Sequence, residues 1–218
     1  MTAVARLPTL DATLGAGIDN LGLALNNPQR VQLIAFIGLL AKWNKTFNLT
    51  AIREPERMLT HHLLDALAVL PHLPTTAGLR VLDVGSGGGV PGIPLAIARP
   101  DWHVTMVDAS QKKVAFQTQA AIELGLGNVV SQAARIEDYA PPLPFAIVIA
   151  RAFSDLASLA ALAARHLAPD GRMYAMKGAY PLDELAALPK QFKVVAAPAL
   201  RVPGLDAERH LIVMELSE

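Results

Sequence analysis

Short apolar runs alternate with longer helical segments from Leu79 onward, and this alternation limits the possible folds more than any other feature of the sequence. A helical pattern or a turn follows each run, as expected for strands joined by crossover connections. Strands that are apolar along their whole length are typical of a parallel sheet with helices on both faces. The five runs are VLDV, VTMVD, NVVSQA, FAIVIA and RMYAMKG.

The last two apolar runs, FKVVAAPALRVP and HLIVMEL, follow each other without a helical segment between them. A parallel pair needs a crossover of a dozen or more residues, so these two runs are predicted to pair antiparallel. The sequence therefore predicts an α/β fold: a mostly parallel sheet that ends in an antiparallel C-terminal hairpin.

The first seventy residues are predicted to be helical. Leucines and isoleucines recur three and four residues apart from Leu10 onward, which is the spacing of one helix face. Asn27 followed by Pro28 predicts an N-cap and a first-turn proline for a helix that runs to about Lys45. Pro55 begins another helix. We therefore divide the chain into an N-terminal helical extension, residues 1–74, and a sheet domain, residues 75–218.

Composition excludes several classes of protein. No stretch of eighteen apolar residues is present, and the N-terminal sequence lacks the pattern of a secretory signal, so we expect a cytoplasmic protein without a membrane segment. The chain has no cysteine, which excludes thiolate metal sites and sulfur nucleophiles. Lys plus Arg and Asp plus Glu both number 19, so any nucleic acid must be bound by a local basic patch.

A glycine-rich turn follows the first strand. Gly87, Gly89 and Gly92 fit the G-x-G-x-x-G pattern of dinucleotide sites. Asp83, however, stands where a carboxylate would repel a pyrophosphate and attract an ammonium group. S-adenosylmethionine carries an ammonium and no phosphate, so Asp83, Gly85 and Gly87 indicate a methyl-donor site. A dinucleotide site, or a turn that binds nothing, remains an alternative.

A second acidic residue supports a nucleoside at this turn. Asp108 ends the second strand about twenty residues after the glycines, where a carboxylate can accept hydrogen bonds from ribose hydroxyls.

Several segments together resemble a known family. DVGSGGGVPGIPLAI, WNKTFNLTAI and HHLLDAL, followed in order by ARIED, ARAF, MKG and ERHLIV, are similar to the bacterial 16S rRNA guanine-N7 methyltransferase G family, also called glucose-inhibited division protein B. The resemblance implies a Rossmann-like class I S-adenosylmethionine-dependent methyltransferase. It further implies methylation of N7 of guanine-527 by a monomeric enzyme that acts on the small ribosomal subunit or a late precursor. By position it implies cofactor contacts at Gly85, Val90, Ile136, Glu137 and Arg151.

The residues also narrow the chemistry. Methylation of C5 of a pyrimidine needs a cysteine adduct, which this chain cannot form. Exocyclic amine methyltransferases usually carry an Asn-Pro-Pro-aromatic loop after the fourth strand, where this chain has Ala150-Arg151-Ala152-Phe153. Guanine N7 already has a lone pair in the ring plane, so transfer to it needs alignment and no base. We therefore assign no catalytic acid or base.

Basic residues suggest where RNA binds. Arg151 can reach guanine O6 or a phosphate, although an ion pair with Asp155 is an equal alternative. The other candidates are cations near Trp43 and one at the end of the fifth strand, and Trp43 itself can either stack on a base or pack against the core. These candidates are Lys42, Lys45, Arg53 and Lys177.

His61, His62 and Asp65 are close together in the sequence and could suggest a metal site. The chain has no cysteine and only one carboxylate nearby, so we predict no metal site.

Two other functions remain open. The runner-up to an rRNA methyltransferase is a small-molecule methyltransferase in which the N-terminal helices form a lid. The third possibility is a non-catalytic module that binds a nucleotide or RNA and transfers no methyl group.

Overall fold

Two long helices open the chain in a computed structural model that describes residues 3–217. Helix α1 spans Ala3–Asn20 and α2 spans Asn27–Phe47. The N-cap of α2 is Asn26, whose side chain accepts a hydrogen bond from the Gln29 N–H, while the Gln29 side chain accepts one from the Asn26 N–H. The predicted cap, Asn27, was therefore wrong by one residue. Pro28 occupies the second helical position, where the missing N–H also costs no helical hydrogen bond.

The next helical segment changes its geometry along its length. It is α-helical over Pro55–Met58 (α3), π-helical over Leu59–Leu64 and α-helical again over Asp65–Leu67 (α4), and a short 3₁₀ turn follows at Leu70–His72. The sequence pattern predicted one helix here and contained no signal for the π turn. Both His62 and Asp65 are buried in this segment, although they are polar.

Seven strands form one sheet in the order β3-β2-β1-β4-β5-β7-β6. Strands β1 to β5 are parallel, and β7 is antiparallel to both β5 and β6, which confirms the predicted parallel sheet and its C-terminal hairpin. The strands are β1 (Arg80–Val84), β2 (His103–Asp108), β3 (Val129–Ala133), β4 (Phe145–Arg151), β5 (Leu167–Lys177), β6 (Phe192–Ala196) and β7 (His210–Leu216).

Helices connect most of the parallel strands. The chain passes from β3 to β4 without a helix, as the sequence predicted. The strand order reverses direction between β1 and β4, and ligands of open α/β sheets bind at the carboxyl ends of strands beside such a reversal. The connecting helices are α5 (Gly92–Ala98), α6 (Gln111–Glu123), α7 (Leu156–Ala163) and α8 (Leu182–Ala186).

Each face of the sheet has its own apolar core. Strand β1 shows the alternation: Val81 belongs to the core under α2, α5 and α6, whereas Leu82 and Val84 belong to the core under α7. Buried side chains of α1 and α2 are part of the first core.

Polar contacts also join α2 to the sheet domain. The Gln29 side chain donates to the carbonyl oxygens of Ile97 and Ala98, at 2.9 and 3.1 Å, and the Gln32 side chain donates to that of Leu124 at 2.8 Å. The division into residues 1–74 and 75–218 stays a prediction, and residues 1, 2 and 218 lie outside the described part of the chain.

Candidate functional site

The glycine turn after β1 leaves open space at the carboxyl edge of the sheet. Gly85 and Gly87 have φ angles of 69° and 55°, which residues with a side chain rarely adopt. A Cβ on Gly85 would meet no atom within 4 Å, and one on Gly87 would meet only the Gly85 carbonyl oxygen at 3.8 Å. A side chain at either position would therefore extend into the space above the turn, where a ligand can approach the backbone.

The glycines farther along the turn are enclosed by protein. A Cβ on Gly89 would lie 2.6 Å from Ile93 Cδ1, and one on Gly92 would lie 2.8 Å from Asp83 Oδ2. These two glycines let the start of α5 pack against β1 and α6. The G-x-G-x-x-G pattern thus mixes one position that faces open space with two that are required by packing.

Asp83 is fully buried beneath this turn. Its Oδ2 accepts a hydrogen bond from the Gly92 N–H at 2.8 Å, while Oδ1 has no hydrogen-bond partner within the described residues. Burial raises the pKa of Asp83 to about 7, against the opposing effects of the Gly92 N–H and of Arg151. The unpaired Oδ1 keeps its acceptor capacity, and a nearby cation would favour the charged form of this carboxyl.

Asp108 joins the glycine turn to the start of α6. Its Oδ2 accepts from the Gly87 N–H at 2.9 Å and its Oδ1 accepts from the Ser110 N–H at 2.8 Å, while Lys113 Nζ lies 3.6 Å from Oδ2. A carboxylate oxygen has two lone-pair directions, so Asp108 keeps acceptor capacity for a hydroxyl group. Its side chain is 9% exposed and lies at the end of β2, beside β1.

Gln117 supports the turn, and sequence reasoning missed it. It is fully buried in α6, and its Nε2 donates to Ser86 Oγ at 2.9 Å and to the Gly87 carbonyl oxygen at 2.8 Å. The available signal was a polar residue between Phe116 and Ala120, which lie on the buried face of the same helix.

Of the other residues expected to contact the cofactor, Val90 and Ile136 are buried. Val90 is 5% exposed and Ile136 is 7% exposed, so each offers only an edge of its side chain. The Glu137 side chain is exposed. Arg165 fixes the backbone here, because its Nη2 donates to the carbonyl oxygens of Ile136, Glu137 and Tyr139.

Arg151, at the end of β4, lies in a network with the N-terminal helices. Its Nη1 donates to the His61 carbonyl oxygen at 3.0 Å and to Asp65 Oδ2 at 3.3 Å. Arg209 Nε donates to the other Asp65 oxygen at 3.0 Å. The suggested ion pair with Asp155 was therefore wrong.

Asp155 has a local role instead. Its two carboxylate oxygens cap α7, where they accept from the Ser158 N–H at 2.7 Å and from the Ser158 hydroxyl at 2.8 Å.

The other basic candidates divide into two groups. Lys177 Nζ lies 2.7 Å from Glu184 Oε2, and its side chain is only 12% exposed, so its charge is paired inside the protein. Lys42, Lys45 and Arg53 are exposed, and they form no ion pair within the part of the chain that the structure describes.

Trp43, beside these cations, packs against the protein. Its ring stacks on Phe47 with centroids 5.1 Å apart and lies 5.6 Å from the Phe116 ring. This contact supports the packing interpretation of Trp43 over base stacking.

The structure brings the proposed cofactor residues to one edge. Asp83, Gly85, Gly87, Asp108 and Arg151 lie at or directly after the carboxyl ends of three adjacent parallel strands. Glu137 and Ile136 lie beyond β3, and Val90 lies in the turn two residues before α5. Lys42, Lys45 and Arg53 lie on α2 and on the loop after it.

Residues 3–217 contain neither a membrane-spanning helix nor a cluster of metal ligands. No helix there is long and apolar enough to span a bilayer. No group of three or more His, Asp or Glu side chains in that range could hold a metal ion, and Asp65 instead accepts from two arginines.

Solved structures of methyltransferases share the fold. TrmN from Thermus thermophilus matches with a TM-score of 0.54 at 24% identity, over 70% of this chain and 48% of that one. A SAM-dependent methyltransferase from Geobacter sulfurreducens in complex with S-adenosylhomocysteine matches with a TM-score of 0.55 at 16% identity, over 83% and 98% of the two chains. At these identities the likeness establishes the class I methyltransferase fold alone.

Sequence relatives are much nearer. The chain is 50% identical over 207 residues to ribosomal RNA small subunit methyltransferase G of Laribacter hongkongensis, which covers 95% of this chain and 99% of that protein. It is 53% identical over 209 residues to the protein of the same name from Aromatoleum aromaticum, with 94% and 98% covered. The family model GidB, described as rRNA small subunit methyltransferase G, matches residues 29–212. The chain therefore belongs to the GidB family of methyltransferases.

Proposed function

We propose that this chain transfers the methyl group of S-adenosylmethionine to N7 of one guanine, guanine-527, in the 16S rRNA of the small ribosomal subunit or a late precursor. The observation that carries the RNA substrate is the family match over residues 29–212, because the family is named for small-subunit rRNA. We further propose that the enzyme acts as a monomer in the cytoplasm.

The carboxyl edge of the sheet fits the cofactor. Gly85 and Gly87 leave space for it above the backbone, and Asp108 retains lone pairs for the ribose hydroxyls. The buried charge of Asp83 attracts the ammonium group, and Arg151 is near enough to influence the Asp83 carboxyl electrostatically. S-adenosylmethionine, when bound, supplies a methyl group activated by a sulfonium sulfur.

Val90, Ile136 and Glu137 complete the proposed cofactor site. Edges of Val90 and Ile136 border the adenine, and Arg165 holds the backbone of Ile136 and Glu137 in place.

The pairing of the charged groups favours N7 as the acceptor atom. Methylation of N7 moves the positive charge from the sulfonium to the purine and releases no proton, so no base is required. Asp83 is fully buried beneath the glycine turn, and Asp108 accepts from two backbone N–H groups and is assigned here to the ribose hydroxyls, so neither carboxylate is assigned as a base. The protein therefore contributes alignment of the guanine with the methyl group.

The runner-up function, a small-molecule methyltransferase with a helical lid, draws support only from the net charge of zero. Helix α2 argues against a mobile lid, because its Leu33, Phe36 and Ile37 are fully buried in the core that it shares with the sheet.

Transfer of a tritiated methyl group tests the proposal. Purified protein is incubated with labelled S-adenosylmethionine and either small subunits that lack the modification or a panel of free nucleosides and nucleotides. We expect label in 16S rRNA and chain cleavage specific for N7-methylguanine at one position. Label in free nucleosides alone would favour the runner-up, and cofactor binding without transfer would favour the non-catalytic module.

A further inference from the structure

His62 lies at the centre of a buried hydrogen-bond chain that the proposed mechanism does not use. The residue is 7% exposed and belongs to the π-helical turn. Its Nε2 lies 2.7 Å from Thr50 Oγ1, and its Nδ1 lies 3.2 Å from both Nη1 and Nη2 of Arg151. The imidazole thus connects the loop after α2 to the end of β4.

The two contacts with Arg151 favour a proton on Nε2 of this imidazole. Arginine has only donors, so Nδ1 must present a lone pair to the guanidinium. The His61 carbonyl oxygen, which accepts from Arg151 Nη1 at 3.0 Å, also lies 3.1 Å from Nδ1 and would be the acceptor in the opposite tautomer. Burial and the charge of Arg151 lower the pKa of His62 to about 4, so the ring is neutral near pH 7. Nε2–H then donates to Thr50 Oγ1.

Charged and titratable groups lie near the ring on the elements packed against it. Arg151 approaches from β4, while His61 and Asp65 share the helical segment of His62. Arg209, which precedes β7, pairs with the other carboxylate oxygen of Asp65.

Thr50 in turn fixes the loop between α2 and α3. Its N–H donates to Asn44 Oδ1 at 2.8 Å, and Asn44 Nδ2 donates to the Ile52 carbonyl oxygen at 3.0 Å. The Ile52 N–H donates to Thr50 Oγ1 at 3.2 Å. Arg53 stands in this loop, and Lys45 lies in the last turn of α2.

We propose that His62 is a positioning residue for methyl transfer. With its proton on Nε2, His62 holds the loop of residues 48–54 in a fixed place relative to Arg151. This inference rests on the proposed function, because the loop is assigned to RNA and Arg151 to the cofactor edge. A displacement of about 1 Å between such groups costs up to about a hundredfold in turnover, while phosphate contacts from α2 would persist.

Replacement of the Thr50 hydroxyl by a methyl group tests the hydrogen bond between His62 and the loop. In Thr50→Val we expect kcat on small subunits to fall about tenfold, with KM for subunits and affinity for S-adenosylhomocysteine within about twofold of the unchanged protein. Thr50→Ser, which restores a hydroxyl, should recover most of the loss. Thr60→Val is the matched control, since the Thr60 hydroxyl donates only to the Glu56 carbonyl oxygen one turn earlier.

A second substitution tests whether His62 transmits the effect. Asn at position 62 can offer an oxygen to Arg151 but cannot reach Thr50, so Thr50→Val should reduce kcat less than twofold further in His62→Asn. If the reductions in kcat of the two single variants multiplied fully in the double variant, the inference would be overturned. A Thr50→Val protein that loses stability but keeps its kcat would also overturn it.

The tautomer can be tested without any RNA. Nitrogen-15 NMR of the imidazole should show a lone pair on Nδ1 and a proton on Nε2 of His62 at pH 7, and Arg151→Lys should perturb the Nδ1 signal. A proton on Nδ1 would overturn the inference even if the enzyme methylates rRNA. Failure of the unchanged protein to methylate rRNA would instead refute the proposed function, and the NMR result would stand.

Discussion

Asp83 and Asp108 illustrate how the environment of a residue decides its role. Asp83 is sealed beneath the glycine turn, with one oxygen unpaired and a pKa raised to about 7 by burial. Asp108 ends the neighbouring strand, and both of its oxygens accept backbone N–H groups. Asp83 can therefore act on a ligand electrostatically from within the protein interior, whereas Asp108 can contact a ligand directly.

Replacement of Asp108 tests its proposed contact with the ribose. In Asp108→Ala we expect affinity for S-adenosylhomocysteine to fall about ten- to a hundredfold, because charge-assisted hydrogen bonds worth about 1.5 to 3 kcal/mol are lost. Calorimetric titration measures the change. Asp101→Ala, an exposed acid before the opposite end of β2, should bind as the unchanged protein does. Normal affinity in a folded Asp108→Ala protein would remove Asp108 from the site.

Asp83→Asn tests the raised pKa through stability. Because the folded pKa of about 7 lies above the unfolded value of 3.8, the contribution of Asp83 is full below pH 3.8 and is lost as the pH rises through 7. Asparagine does not titrate. The free energy of unfolding of the variant should therefore gain about 3 kcal/mol on that of the unchanged protein between pH 5 and pH 8.

Urea unfolding at the two pH values measures this difference. Asp155→Asn is the matched control, since hydrogen bonds from Ser158 lower the pKa of Asp155 and its titration lies below this range. A constant difference between Asp83→Asn and the unchanged protein would contradict the raised pKa.

At the scale of elements, the start of α5 and the end of β1 are packed without room for a side chain. The Gly92 N–H donates to Asp83, and a Cβ on Gly92 would also lie 2.7 Å from Met106 Cγ on β2. The absence of a side chain at Gly92 therefore allows the glycine turn, α5, β1 and β2 to pack closely.

Gly92→Ala should destabilise the protein by about 1 to 3 kcal/mol, because the added methyl group overpacks a buried site. Gly38→Ala provides a matched comparison in the exposed middle of α2, where a Cβ meets no atom within 4 Å. It should stabilise the protein by about 0.5 to 1 kcal/mol. Chemical denaturation of the two variants measures both effects, and equal stabilities would contradict the packing argument.

At the scale of the whole molecule, a net charge of zero leaves RNA binding to local cations. Lys42, Lys45 and Arg53 are exposed together at the end of α2 and in the following loop, and the ion pairs of the described residues do not include them. Arg151, Arg209 and Lys177 are instead paired with carboxylates. Lys42, Lys45 and Arg53 are therefore free to contact phosphate groups.

Replacement of all three by Gln should greatly reduce methyl transfer to small subunits and leave affinity for S-adenosylhomocysteine within about twofold. The slope of log affinity against log salt should become shallower by about 2, since each phosphate contact contributes about 0.7 on single-stranded nucleic acid. Binding and transfer over a salt series measure both quantities.

A charge-matched control replaces Arg172, Lys190 and Lys193, which lie in β5 and in or before β6, by Gln. This variant should transfer methyl groups normally. Equal losses in the two triple variants would show that net charge, and not the segment after α2, governs RNA binding.

The sequence by itself determined the α/β class, the antiparallel hairpin and the position of the glycine turn, because strand periodicity and glycine spacing are local properties. It also located Asp83 and Asp108 at strand ends. Only the tertiary structure decided their burial and the partner of Arg151. Asp155 stands four residues from Arg151, but the chain between them is not helical, and the actual partner, Asp65, is 86 residues away. Such a contact depends on how helices pack against the sheet, which no local pattern encodes.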